Sequence, residues 1–250
     1  MGQGAASTWV CGDGLSKERL QELAHRMGWR ILSDLPALNY DGFSQVSGPG
    51  VVVLGWADPI RLTNALQLPV SACIEVGCEA FLDDEFGLLT LILTTATAYA
   101  CDPGTAFTDA MISRGLINPL RRRDIRLALH EAMANGIEHG NLALPPCANL
   151  TPDAFIERAS VVEARLASPS FGGRPIILSA TAHAGAVEIA VKDCGAGFLP
   201  GQVIQAVAPD SAPVGGRLAL SGRGISFMRE HCDGFRHEDG GRRAVLSFRT

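Results

Sequence analysis

Charge and aromatic rings are both scarce in this chain. Asp, Glu, Lys and Arg make up 19% of its 250 residues, and Phe, Trp and Tyr 6%. The formal net charge is −5, so the broad basic face that tracks a phosphate backbone is missing. The one dense basic run, Arg121-Arg122-Arg123 followed by Arg126, reads as the solvated start of a helix, and no nucleic-acid partner is expected. Cysteines number seven, at 11, 73, 78, 101, 147, 194 and 232, and no two have CxxC spacing. An odd count without that spacing suggests neither a disulfide framework nor a zinc site, and fits a reducing compartment. The first ten residues, MGQGAASTWV, lack the basic start and apolar stretch of a signal peptide, and Ser7 falls one place late for myristoylation. The longest uncharged stretch, Phe86 to Cys101, is too short and too rich in threonine for a membrane span. What is abundant is apolar material, 47% of the chain, enough for a packed core and too much for disorder. The expectation is a soluble cytoplasmic protein of one or two domains, with no membrane partner.

The first 84 residues alternate in type. Thr8–Cys11, Arg30–Leu32, Val51–Leu54 and Val70–Val76 read as strands, with helices after Ser16 and from Asp58 to Leu66. Ser16 is a plausible N-cap, and the continuous β-branched run Val51–Leu54 suits a strand buried on both faces. Alternating strands and helices predict a small parallel α/β unit over residues 1–84. Glu79–Glu85 is acidic and reads as a surface connection into a second unit, 85–250. There Leu88–Thr95 reads as a strand, Thr105–Ser113 as a helix and Arg123–Gly140 as a long helix. Thr151-Pro152-Asp153 opens another helix, within an insertion between Leu142 and Arg174. Pro175–Ala182 and Ala186–Lys192 form a hairpin, residues 198–221 a long Gly/Pro/Ala loop, and Ala244–Arg249 a last strand.

Three segments carry chemistry. In LHEAMANGIEHGN (129–141), Glu131, Asn135, Glu138 and His139 are three and four residues apart, which places a carboxylate and an amide on one helical face. In VKDCGAGF (191–198), a strand ends in Asp193, an acceptor for an exocyclic amine, and Gly195 and Gly197 allow a flat ring close to the backbone. In SGRGISFM (221–228), Gly222, Arg223 and Gly224 precede a helix, and backbone N–H groups at a helix N-terminus favour polyphosphate. Each segment alone also reads blandly, as a half-exposed helix, a DxGxG turn and a glycine turn.

Their order and spacing resemble the N-box, first glycine box, ATP lid (198–221) and second glycine box of the GHKL superfamily. DNA gyrase, the heat-shock chaperone ATPase, histidine kinases and MutL share this ATP-binding domain. The resemblance covers about residues 86–250. It implies an α+β fold, the two-layer α/β sandwich of the histidine-kinase-like (Bergerat) type, with ATP and Mg²⁺ as cofactors. Residue by residue it implies Asn135 as the Mg²⁺ ligand, Glu131 as general base, and Asp193 on the adenine amine. Gly195 and Gly197 would shape the base pocket, and Gly222, Arg223 and Gly224 would line the phosphates. His139 and Asn141 would either touch phosphate or sugar, or only close the helix.

EHGN and the GRG turn resemble the anti-sigma-factor serine/threonine kinase branch, and the insertion resembles that of ATP-binding domains attached to receiver and phosphatase modules. The implied partner is a small anti-sigma-factor antagonist or a sigma factor; relatives often dimerise, which leaves a homodimer open. Two alternatives stand beside the kinase, a non-catalytic nucleotide-binding adapter and a histidine-kinase-like catalytic fragment. The 1–84 unit resembles a degenerate receiver. Gly55 holds the place of the phosphorylatable aspartate, Asp58 falls three residues later, and Asp13 is a remnant of the acidic pair. A phosphorylation-dead docking or dimer surface is the expectation.

Overall fold

A computed structural model describes residues 8–32, 48–67, 69–82, 87–145, 151–183, 185–197 and 223–249. Among them, nine strands form one sheet in the order β2-β1-β3-β4-β5-β6-β7-β9-β8. The strands β1 (Trp9–Asp13), β2 (Arg30–Ile31), β3 (Gly50–Leu54), β4 (Val70–Glu75) and β5 (Leu89–Thr94) pair parallel to one another. From β5 onward, β6 (Pro175–His183), β7 (Ala186–Lys192), β9 (Arg243–Arg249) and the edge strand β8 (Gly234–Glu238) pair antiparallel. The boundary expected between residues 84 and 85 falls between β4 and β5, which are hydrogen-bonded neighbours with Cys73 opposite Leu91.

Strand alternation sends residues to two cores. Trp9, Cys11, Val52, Leu54, Leu91, Leu93, Leu178, Ile189 and Leu246 point to the larger one. That core is roofed by α2 (Pro59–Ala65), α4 (Pro103–Ser113), α5 (Arg122–Asn135) and Met228 of α7 (Arg223–His231). Val10, Val51, Val53, Ala72, Ile74 and Ile92 point the other way, onto Leu23 and Ala24 of α1 (Lys17–Met27). The parallel half is therefore covered on both faces, and the antiparallel half carries its helices on one. The expected N-cap Ser16 accepts from the Arg19 N–H, and Asp58 and Thr151 cap the helices read from them, accepting from Ile60 and Arg61 and from Ala154. The helix that Thr151 caps, α6 (Pro152–Ala167), buries none of its residues.

Three expectations are corrected. The strand read to Thr95 stops at Thr94, and Thr95–Cys101 is a helix, α3, capped by the Thr94 hydroxyl on the Thr97 N–H. The following helix begins at Pro103 rather than Thr105, after a left-handed Asp102 (φ 44) that separates it from α3. The long helix read through Gly140 is α-helical only to Asn135; Gly136–Asn141 winds as a π-turn. Strand β8 was not read from the sequence. The 198–221 loop lies outside the described residues, and none of the described helices is long and apolar enough to cross a membrane.

Candidate functional site

Helix α5 lies on β7 and β9 with Ile125, Ala128, Leu129 and Ala132 buried beneath it. That packing fixes its rotation and turns Glu131 and Asn135 away from the core. Asn135 Nδ2 donates to Glu131 Oε1 at 3.2 Å. A carboxylate only accepts, so this contact sets the amide orientation and leaves Asn135 Oδ1 as the oxygen available to a cation. Helix α7 brings its second residue to the same place. A Cβ on Gly224 would lie 2.0 Å from Glu131 Oε1 and 3.2 Å from Asn135 Nδ2, so a side chain there would push the Glu131 carboxylate off its present position.

One turn further on, the π-turn meets the end of β7. A Cβ on Gly140 would fall 2.4–2.8 Å from the Asp193 carboxylate atoms, and one on Gly195 would fall 2.5 Å from the Gly140 carbonyl oxygen. Gly136 also lies beside Asp193, whose Cβ is 3.6 Å from where a Gly136 Cβ would be. Asp193 is buried, and its Oδ1 accepts from the Gly195 N–H at 2.7 Å. Burial pushes the Asp193 carboxyl up to about 6, against the opposing pull of that N–H and of Arg242. A desolvated carboxylate of this kind gains from any further donor brought to it. Gly197, at φ 71, completes the turn against the Gly240 carbonyl.

Asn141 and His139 close the π-turn. Asn141 is fully buried, donates from Nδ2 to Thr95 Oγ1 (2.8 Å) and the Pro175 carbonyl (2.9 Å), and accepts from the Cys194 N–H (2.7 Å). Every polar atom of its side chain is thereby spent on the fold. His139 Nδ1 lies 2.9 Å from the Leu144 carbonyl, which only accepts, so this nitrogen carries the proton. Both contacts close the π-turn; those of Asn141 use its whole side chain, whereas that of His139 uses Nδ1 alone on an exposed ring. Gly222 lies outside the described residues, and of Arg223 the structure gives its place as the first residue of α7.

Glu131, Asn135 and Gly224 thus meet at one end of the α5–π-turn segment, and Asp193 and Gly195 at the other. Gly136 and Gly140 were missed as site residues. Their signal was present, two glycines four apart on a helix, which marks a face where another backbone or side chain approaches closely. A hard oxygen donor at Asn135 suits Mg²⁺, which keeps water and phosphate as its main ligands and needs one or two side chains. Among the described residues no group of three His, Cys, Asp or Glu is placed to hold a metal alone.

No curated protein matches the chain. The family model of the histidine kinase-like ATPase domain, whose members bind ATP and generally Mg²⁺, matches residues 95–249. With more than half its length matched, and with the glycine-led helix and the buried strand-end aspartate each brought against the carboxylate–amide helix or its π-turn, the chain belongs to the histidine kinase-like ATPase domain family.

Proposed function

We propose that this ATP-binding protein is a serine/threonine kinase of the anti-sigma-factor type, acting on a small antagonist protein in bacterial signalling. The observation that carries the reading is the placement of Glu131. Its carboxylate touches the proposed Mg²⁺ ligand, Asn135, and the N-terminal turn of α7 at Gly224. That is the phosphate end of the site, where a base for an attacking hydroxyl is needed and where a purely binding module needs none. At the other end Asp193 accepts the adenine amine, and Gly195 and Gly197 leave room for the ring. Asn135 would hold Mg²⁺ through Oδ1, and the ion would supply charge neutralisation at the phosphates. Gly222, Arg223 and Gly224 contact those phosphates through the helix N-terminus. Glu131 takes the hydroxyl proton as the oxygen–phosphorus bond forms and the bond to the ADP leaving group breaks.

The test is a pull-down from extract followed by labelled ATP. Glu131→Gln is expected to retain affinity for a fluorescent ATP analogue and to lose about 10²–10⁴-fold in transfer. The labelled product is expected to survive acid, as a phosphohydroxyl does and phosphohistidine does not. Unchanged transfer in the variant removes Glu131 from the role, and an acid-labile product moves the protein to the histidine-kinase-like reading.

One observation favours the non-catalytic adapter as second reading. The β2-β1-β3-β4-β5 order is that of doubly wound folds of the receiver type, whose ligands sit at the strand ends where the order reverses. Here Arg61 occupies that place, bonded to Asp13 at the end of β1 and 3.8 Å over the Trp56 ring. With Gly55 after β3, this supports a receiver-derived, phosphorylation-dead unit whose surface serves docking. Absence of transfer by the wild-type protein, with nucleotide affinity intact, is the result that favours the adapter.

A further inference from the structure

Helix α6 and the turn after it reach the nucleotide site only indirectly, yet three of their arginines end on the same short segment. Arg158 Nη2 donates to Glu138 Oε2 at 2.5 Å, and its Nη1 donates to the Pro145 carbonyl at 2.9 Å. Arg165 Nη1 donates to the Leu142 carbonyl, and Arg174 Nη1 to the Asn141 carbonyl at 2.9 Å. Arg165 and Arg174 both lie over the Phe171 ring, 5.1 and 4.8 Å from its centroid, which fixes their directions. The segment they grip is the π-turn and its exit. Its other side carries the Gly140 contact to Asp193 and the Asn141 bond to the Cys194 N–H.

A π-turn is a strained winding that persists where its surroundings hold it. Its carbonyls are out of α-helical register, and Leu142 bonds back to Ile137 and Leu144 to Glu138. Single N–H bonds from Arg174 and Arg165 to the carbonyls of 141 and 142 satisfy acceptors that a continuing α-helix would satisfy internally. Helix α6 itself has no buried residue and presents Phe155 and Ile156 to solvent, with Val162 and Leu166 half-buried against the core.

We propose that Arg158, Arg165 and Arg174 are positioning residues for the nucleotide site. They act through the π-turn, so the α6 insertion is a brace whose displacement loosens the adenine end. This rests on the ATP reading of that site. The Arg158–Glu138 pair gives the cleanest test, because both partners are side chains and their charges can be exchanged. Arg158→Glu is expected to weaken binding of a fluorescent ATP analogue with Mg²⁺ by roughly three- to thirtyfold. It is also expected to speed hydrogen exchange over residues 136–145 and 193–195 while leaving far-UV circular dichroism unchanged. Adding Glu138→Arg is expected to return affinity and exchange to within about twofold of wild type. A merely structural role moves the unfolding temperature without this rescue. Should Arg158→Glu not fold, Arg158→Gln and Glu138→Gln carry the same two readouts. Wild-type exchange in these variants overturns the brace, as does a swap that rescues nothing. Wild-type protein that does not bind the analogue overturns the nucleotide reading instead, and the exchange result then decides the brace alone.

Discussion

The two halves of the sheet are built from similar strands and are used differently. In the parallel half, all five residues of β3 are buried, because α1 covers one face and α2 and α4 the other. In the antiparallel half, Val187, Ile189 and Val191 of β7 face the helices, while Glu188 and Lys192 face outward with Ser247 of β9 and Arg236 of β8. Every described residue expected to bind nucleotide belongs to the antiparallel half or to α5, its π-turn and α7 on the covered face. A strand buried on both faces has only apolar positions to offer. A strand covered on one face ends where a helix and a turn converge, and there Asp193 meets Gly140.

The largest effect is expected from cutting the two halves apart. A fragment of residues 85–250 leaves β5 as an open edge, with Thr90, Leu91 and Ile92 stripped of their β4 partners. Ile92 loses every other buried member of the smaller core, Val53, Ile74 and Cys78 among them, and keeps from that cluster only the partly buried Ile177. Fully burying one such side chain is worth about 1.5–3 kcal/mol, against a total stability of about 5–15 kcal/mol for a domain. Arg114 adds to the loss. Its Nη2 donates to the Leu66 and Val70 carbonyls at 2.7 and 2.6 Å, and its burial lowers the guanidinium to about 10. Without those acceptors the guanidinium keeps only the long bond from Nη1 to the Leu88 carbonyl, at 3.4 Å. The fragment is expected to aggregate on size-exclusion chromatography and to show no cooperative thermal unfolding. A monomeric fragment that melts cooperatively and binds nucleotide would show instead that the two halves are separable.

Much of this division is legible in the sequence. The unbroken run Val51–Leu54 announces a doubly covered strand, and Val187, Ile189, Val191 announce a half-covered one. Ser16, Asp58 and Thr151 announce their helices because a cap is a local bond. The β4–β5 pairing is not legible, since parallel register is set by distant residues and the acidic stretch between the strands resembles any surface connection. Helix α3 is hidden for a related reason. Thr95, Thr97 and Tyr99 favour strands by propensity, and what makes them helical is the Thr94 cap together with the Thr95–Asn141 bond across 46 residues. In the site, the four-residue spacing of Glu131 and Asn135 displays itself, whereas Asn141 depends on partners 34 to 53 residues away. Spacing on one helix is written locally; the closing of a π-turn is not.

The next effect separates binding from stability at the boundary of the antiparallel half. Asp193→Asn keeps the shape and the acceptor for the Gly195 N–H but removes a carboxylate that burial disfavours. The group's pKa is raised in the fold to about 6 from an ordinary 3.8, so ionising it costs stability as pH climbs from about 4 to 6. The variant is therefore expected to melt at or above the wild-type temperature at pH 7. It is also expected to lose roughly tenfold or more in nucleotide affinity, the scale of a hydrogen bond to a charged group. In the wild type, affinity is expected to weaken as pH falls through about 6, because the ionised form accepts the adenine amine. A variant that binds normally would remove Asp193 from the site, and one that binds poorly and melts much earlier would make it a structural residue.

The smallest effect belongs to the open face. Arg236 forks onto Glu188 at 2.6 and 2.8 Å, and Ser247 Oγ adds a bond to the same carboxylate at 3.1 Å. The arginine bond holds the Glu188 carboxyl down at about 2, below its ordinary 4.5. A lowered carboxyl stabilises the fold above its unfolded pKa and loses that contribution as pH falls through the folded value. The Glu188→Gln variant is therefore expected to be less stable than wild type at pH 7, with the gap closing between about pH 4.5 and 2. Arg236 is 45% exposed, so solvent screens the pair and the gap is expected to stay within about 1 kcal/mol in urea unfolding. Nucleotide affinity is expected to be unchanged, because this face lies across the sheet from α5. A larger loss of stability, or any loss of affinity, would mean that the open face is tied to the site more tightly than one covered face and one solvated face allow.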